Sequence, residues 1–234
     1  MQQSMDLACA DLVPKVRLAI VGASSHGRVV ADAVIRAGVH TLIGFIDSGK
    51  PVGAGWCGHE ILGPMERVSG VRLEHKIEGC VIAIGDNEVR RRCMAAIRRD
   101  APGLAFVTVI HPFADVAPDS EIGDGAVILA GAIIGAGAKV GGHCIINTGA
   151  QLDHESSMGD FSSLAPKVAT GGNVKIGEGA AVCIGASISH GVTIGRETVI
   201  GGGAVVLDDI PDFSVAYGVP ARVVRAREAG DRYL

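Results

Sequence analysis

A six-residue periodicity runs through the second half of the chain and constrains the fold more than any other feature. Stepping by six from Ile110 gives Val116, Ile122, Ile128, Ile134, Val140, Ile146, Leu152, Met158, Leu164, Thr170, Ile176, Val182, Ile188, Ile194, Ile200 and Val206. Thr170 is the single member of that series that is neither aliphatic nor Met. Glycine often follows (Gly123, Gly135, Gly141, Gly159, Gly171, Gly177, Gly195, Gly201), and the fourth residue on is small or β-branched from Ala126 to Ala204. A helix repeats at about 3.6 residues and a strand alternates at about two, so neither alone explains this spacing. A short strand plus a corner does, with the aliphatic side chain inward and glycine easing the turn. Three such faces close a coil of 18 residues. Coils stacked at roughly 4.8 Å build a prism on the order of 25 Å long. The 34 glycines and the 3% aromatic content suit a core of small and β-branched side chains with repeated turns.

Before Ile110 the pattern changes. Residues 17–21 (RLAIV) read as a buried strand, 22–27 (GASSHG) as a turn and 28–37 as a helix. A second strand over 41–47 ends in Asp47, a third spans 80–84, a basic helix spans 88–100, and a last strand over 104–110 feeds the repeat. Alternating strands and helices imply a small parallel, Rossmann-like α/β unit, with nucleotide or phosphate at the carboxyl ends of its strands near a helix N-terminus. The expected organisation is a tail over 1–16, the α/β nucleotide-binding unit over 17–109, the β-helix over 110–211 and a C-terminal segment over 212–234. The GxxxxG turn is neither the dinucleotide GxGxxG nor a Walker loop, and a tight strand-to-helix turn explains it equally well. Asp47 stands where a ribose-binding acid would sit, or is an ordinary strand-end carboxylate.

Several classes are excluded. A net charge of −4 with both signs dispersed leaves no basic stripe for nucleic acid. The six cysteines, Cys9 among them, lack CxxC spacing and read as reduced thiols of a cytoplasmic protein. Asp6 and Asp11 precede the first basic residue, Lys15, unlike a secretory signal. The uncharged, glycine-rich stretch 125–138 is shorter than the roughly 20 apolar residues that span a bilayer. No membrane partner is expected.

Within the coils the informative polar cluster is Gln151-Leu152-Asp153-His154-Glu155. An imidazole titrating near neutrality suits general-base proton removal, and an adjacent carboxylate can orient it. A solvated corner histidine between acids is the alternative. At 18 residues per coil the column through His154 reads Pro118, Ala136, His154, Gly172, His190 and Asp208, so Gly172 stacks over the imidazole with no side chain. His190 lies two coils away, roughly 9.6 Å, and His143 lies at another part of the coil; no metal cluster is expected. His26 reads either as a phosphate contact or as a cap of the turn, and Arg90–Arg92, Arg225 and Arg227 either as phosphate partners or as solvated cations.

Taken together, the GASSHG turn, the FID strand end, the IAIGDNEVR segment and the IHP junction before the coils resemble the sialic-acid, bacillosamine and perosamine sugar acetyltransferases over about residues 17–226. The resemblance implies a left-handed parallel β-helix binding acetyl-CoA, no metal, and an α/β unit binding a nucleotide-linked amino sugar. It implies His154 and Glu155 as the catalytic pair. Ser24, Ser25, His26, Asp47, Ser48 and Gly85 match the sugar-nucleotide positions, and Gly172, Ile184 and Gly202 match coenzyme positions. Ser163 stands where some members carry a coenzyme-contacting histidine. The GxPAR segment ending at Arg222 resembles the family's terminus near the coenzyme's nucleotide end. The expected protein is thus a homotrimer with inter-subunit sites that acetylates a nucleotide-linked 4-amino-deoxysugar for polysaccharide or glycoprotein-sugar synthesis. An O-acetyltransferase of sialic acid or a related sugar, or a non-catalytic nucleotide-binding scaffold, are the alternatives.

Overall fold

The computed structural model describes residues 15–228, 230 and 231; the tail over 1–14, with Cys9, lies outside the described residues. The first unit comprises β1 (Arg17–Val21), α1 (Ser25–Ala37), β2 (Thr41–Ile46), β3 (Gly55–Trp56), β4 (His59–Gly63), α2 (Val68–Glu74), β5 (Gly79–Ile82), α3 (Asn87–Asp100) and β6 (Ala105–Phe106). Its sheet runs β3-β4-β2-β1-β5-β6, parallel throughout except where β3 meets β4. Strand β1 is buried on both faces: Leu18 and Ile20 face α1, while Ala19 and Val21 join the opposite layer with Val68, Val71 and Ile97. That is why residues 18–21 (LAIV) are continuously apolar. The hairpin of β3 and β4 and the seven-residue α2 were not expected, being too short for a resolvable period. The single strand expected over 104–110 is split into β6 and Val109–Ile110.

Helix α1 starts at Ser24, whose hydroxyl accepts from Gly27 N–H at 3.3 Å, and stops at Gly38, which adopts φ 66°. Asp86 caps α3 in the same way, accepting from Val89 N–H at 2.9 Å.

From Val109 the chain winds into a left-handed parallel β-helix with three faces. Face one stacks Val109–Ile110, Val127–Ile128, Ile145–Ile146, Ser163–Leu164, Ala181–Val182 and Val199–Ile200. Face two stacks Asp115–Val116, Ile133–Ile134, Gln151–Leu152, Ala169–Thr170, Ser187–Ile188 and Val205–Val206. Face three stacks Glu121–Ile122, Lys139–Val140, Ser157–Met158, Lys175–Ile176 and Thr193–Ile194. Residues 18 apart pair between successive coils, as Ile128 does with Ile146 and Ile146 with Leu164, except at Leu152 and Thr170. The second residue of each strand points inward, and the small residues at the fourth position, such as Ala126, Ala150 and Ala186, are fully buried between them. Val199–Ile200 continues into an antiparallel hairpin of Ser214–Gly218 and Ala221–Ala226.

The α/β unit docks on face one. Outward-facing Val127 and Ile145, with Leu129, belong to the apolar cluster of Val30 and Val34 on α1. The other tie is polar. Arg90 is 1% exposed; its Nε donates to His143 O at 2.7 Å, and its Nη2 donates to Phe161 O at 2.8 Å and to Asn87 Oδ1 at 2.7 Å. Nη1 donates to Ile84 O at 2.9 Å and Gly85 O at 3.1 Å. Asn87 donates to Gly179 O and Ala180 O, both at 3.1 Å, and Arg91 pairs with Glu197 at 2.7 Å. Arg90 and Arg91 therefore clamp the two units together, whereas Arg92 is exposed and pairs with Glu88 on its own helix at 2.9 Å.

Truncating the ladder should be costly. Ile146→Ala is expected to lower stability by about 2–5 kcal/mol, read as a reduced denaturant midpoint with unchanged slope.

Candidate active site

The turn after β1 is fixed by the chain's own groups. Gly22 holds φ 106°, and a Cβ there would sit 2.9 Å from Ala83 O. Asp47 accepts from Ala23 N–H at 2.7 Å through Oδ2 and from Gly49 N–H at 2.8 Å through Oδ1. Its carboxylate thus pins the turn to the loop after β2. Ser48 donates to Glu66 at 2.9 Å and accepts from Met65 N–H at 3.0 Å. Ser24 and Ser25 are exposed at the helix start.

His26, with Gly85, lines a cavity of about 380 Å³ against the coils. Asn147, Ser163, Ala165, Pro166, Cys183 and Ile184 are among the residues on its other side. Burial, and then the Arg90 guanidinium, lower the His26 pKa to about 4, and its Nε2 has no partner in the structure. The imidazole is therefore neutral at neutral pH, which favours hydrogen bonding over charge pairing with a phosphate. Ile184 is 60% exposed, Gly202 stacks over it, and Tyr217 stacks over Gly201. Arg222, opposite Tyr217 in the C-terminal hairpin, lies 3.6 Å from Asp208. Of the two further candidate cations, Arg225 approaches Asp231 at 3.6 Å and Arg227 is buried, donating to Asp231 O at 2.7 Å. Asn147, Pro166 and Cys183 escaped the sequence reading, although stepping back 18 from Ile184 reaches Pro166.

His154 lies at the corner between faces two and three. Its Nδ1 is 3.0 Å from Asp153 Oδ1, which also accepts from the His154 backbone N–H at 2.7 Å. These bonds hold the Asp153 carboxyl below its usual range. The expected partner, Glu155, does not take this place: it occupies the left-handed corner position (φ 54°) and its carboxylate lies over Gly137. Gly172 sits against the imidazole, since a Cβ there would overlap Cε1 and Nε2 of His154. The His190 ring centroid is 6.3 Å from that of His154, closer than the two-coil rise. Among the described residues no group of three or more His, Cys, Asp or Glu could hold a metal.

His143 belongs to neither edge. It is buried at the corner between faces three and one, stacked on Phe161 at 5.0 Å and edge-on to Phe106 at 4.6 Å.

The candidate residues within the coils thus fall on two edges of one prism. The cavity, Ile184 and Gly202 line the edge between faces one and two, whereas His154 and Gly172 line the edge beyond face two.

Residues 17–97 match the family model described as the PglD N-terminal domain. UDP-N-acetylbacillosamine N-acetyltransferase of Bacillus subtilis (strain 168) is 36% identical over 116 residues, covering 48% of this chain and 50% of that protein. The match thus spans only half the length of that curated relative. A variant of GDP-perosamine N-acetyltransferase from Caulobacter crescentus, solved with CoA and GDP-perosamine, superposes with a TM-score of 0.84 at 33% identity, covering 89% of this chain and 97% of that one. The chain belongs to the bacillosamine/perosamine-type sugar acetyltransferase family. The acetyltransferase domain of PglB from Neisseria gonorrhoeae FA1090, in complex with acetyl coenzyme A, matches with a TM-score of 0.83 at 31% identity, covering 90% of this chain and all of that chain.

Two buried imidazoles give a pH signature. His26 and His143 are both lowered to about 4, chiefly by burial. The unfolded chain takes up these protons near pH 6.5 and the folded chain only near 4, so stability falls as pH drops through that window. Thermal melts should decline from pH 6.5 toward 4, and His143→Phe should flatten the decline; an unchanged slope would contradict the assignment.

Proposed function

We propose that this protein transfers the acetyl group of acetyl-CoA to the amino group of a nucleotide-linked 4-amino-deoxysugar. The observation that carries the reading is the pairing of His154, backed by a carboxylate and lying against a bare glycine, with an apolar cavity that His26 and Gly85 connect to the α/β unit. The unit over 17–109 would hold the nucleotide-linked sugar through Ser24, Ser25, His26, Asp47, Ser48 and Gly85. Among these, Asp47 would act by shaping the turn, since both its oxygens already accept backbone N–H groups. The coils over 110–211 would hold acetyl-CoA against Gly172, Ile184 and Gly202, with Arg222 in the segment 212–234 near the coenzyme's phosphates.

The neutral sugar amine attacks the thioester carbonyl carbon, forming a C–N bond as the carbonyl π pair moves onto oxygen. His154 Nε2 removes a proton from that nitrogen; the carbonyl then re-forms as the C–S bond breaks, and the leaving thiolate takes the proton from the imidazolium. Asp153 holds Nδ1 and so leaves Nε2 free for the substrate. Glu155, directed toward Gly137, contributes charge near the edge rather than orientation. The exposed oxyanion would lie near the Gly172 amide.

A homotrimer supports this chemistry, because the two edges that carry the site are separated by face two within one protomer. Face two is also the less charged side: beside Asp115 it presents Ile133, Gln151, Ala169, Ser187 and Val205, while face three presents Glu121, Lys139 and Lys175. Packing one protomer's His154 edge on another's cavity edge would complete the site and exclude water. A cytoplasmic setting is consistent with the free thiols of Cys57, Cys80, Cys93, Cys144 and Cys183, and no helix among the described residues is long and apolar enough to cross a membrane.

Thiol release should follow mixing with acetyl-CoA and UDP-, GDP- or dTDP-linked 4-amino sugars. His154→Ala should lower kcat by about 10²–10⁴. Release only with free sialic acid would favour O-acetylation, and none with any acceptor would contradict catalysis. Sedimentation should give a trimer; a fully active monomer would contradict the shared site.

A further inference from the structure

Thr170 interrupts the aliphatic ladder, and its place in the coils gives it a task. Residues just after each face-two strand normally donate their backbone N–H to the carbonyl one coil on. Ala117 donates to Ile134 O at 3.0 Å, Gly135 to Leu152 O at 2.8 Å, Gly171 to Ile188 O at 2.8 Å and Ser189 to Val206 O at 2.9 Å. The equivalent bond from Asp153 goes instead to the Thr170 hydroxyl, at 3.0 Å. The strand pairing changes at the same place: Gln151 pairs with Ala169, but the Leu152–Thr170 pair expected from the other coils is missing. Thr170 is 7% exposed, so its hydroxyl is an interior group aimed at this one corner.

We propose that Thr170 is a positioning residue for His154, acting through Asp153. Resting on the acetyl-transfer reading, this assignment deepens it. The hydroxyl replaces a main-chain carbonyl as the acceptor and so sets where the Asp153 backbone stands. Asp153 in turn grips His154 twice, at the backbone N–H and at Nδ1. The imidazole is exposed at a corner, and Gly172 offers it a surface but no bond. A valine at 170 would fill the same volume and keep the apolar ladder, yet it would let the Asp153 N–H fall back to the ordinary carbonyl rung. The carboxylate and the imidazole would move with it.

The test is a double-mutant cycle of Thr170→Val and Asp153→Asn, with Thr170→Ser as the rescue. Thr170→Val should lower kcat about tenfold to a hundredfold, leave both KM values within about twofold and keep the melting temperature near that of the parent. Thr170→Ser should restore most of the loss. In the double variant Thr170→Val should add little to Asp153→Asn, because both act through one imidazole contact. Additive losses, or wild-type kcat in Thr170→Val, would overturn the proposal. A second readout needs no turnover: imidazole ¹⁵N signals of His154 should show the Nδ1-protonated tautomer in the parent and a mixture in Thr170→Val. Absence of acetyl transfer in the parent, with that tautomer change intact, would remove the proposed function alone; an unchanged tautomer would remove the role of Thr170.

Discussion

The stacking of each strand on the residue 18 positions later is the constraint on which everything else in this molecule depends. It fixes which side chains share an edge, because a one-residue slip would turn the inward ladder of Ile128, Ile146, Leu164 and Val182 outward. The same register lays Gly172 against His154, Gly202 over Ile184, and Thr170 beside Asp153. Catalytic geometry here is therefore a by-product of core geometry. The prism is rigid for the same reason that it is stable, and a corner needs only a small local departure to become a site.

The second constraint is the joint between the two units. Arg90 donates to carbonyls of both, Ile84 and Gly85 on one side and His143 and Phe161 on the other. It thereby ties the loop of Gly85, one wall of the cavity, to the coils. A buried guanidinium is tolerated because these oxygens accept its hydrogens. Its charge is also one cause of the neutral state of His26 and of His143.

The coils were legible from the sequence because their period is long, unbroken and in phase, and the contact of Gly172 with His154 followed from counting alone. What was not legible depends on local backbone state or on distance along the chain. Glu155 follows His154 directly, yet it stands at the left-handed position that Gly137 fills one coil earlier and Asn173 one coil later. That conformation carries its carboxylate off the imidazole and leaves Asp153 as the partner. The β3–β4 hairpin and α2 are too short to show a period, and the reach of Arg90 to His143 O crosses 53 residues. Thr170 was visible as an exception in the ladder, but its reason lies 17 residues earlier, in the N–H of Asp153.

A site shared by two protomers joins all of these features, and subunit complementation tests it. His154→Ala removes the function of one edge, and Ile184→Arg blocks the cavity on the other; each should be inactive alone. Mixed trimers refolded from equal amounts should regain activity in about one quarter of their sites, those that pair an intact histidine edge with an intact cavity edge. No recovery in mixed trimers that assemble normally would contradict the shared site and return the chemistry to a single chain.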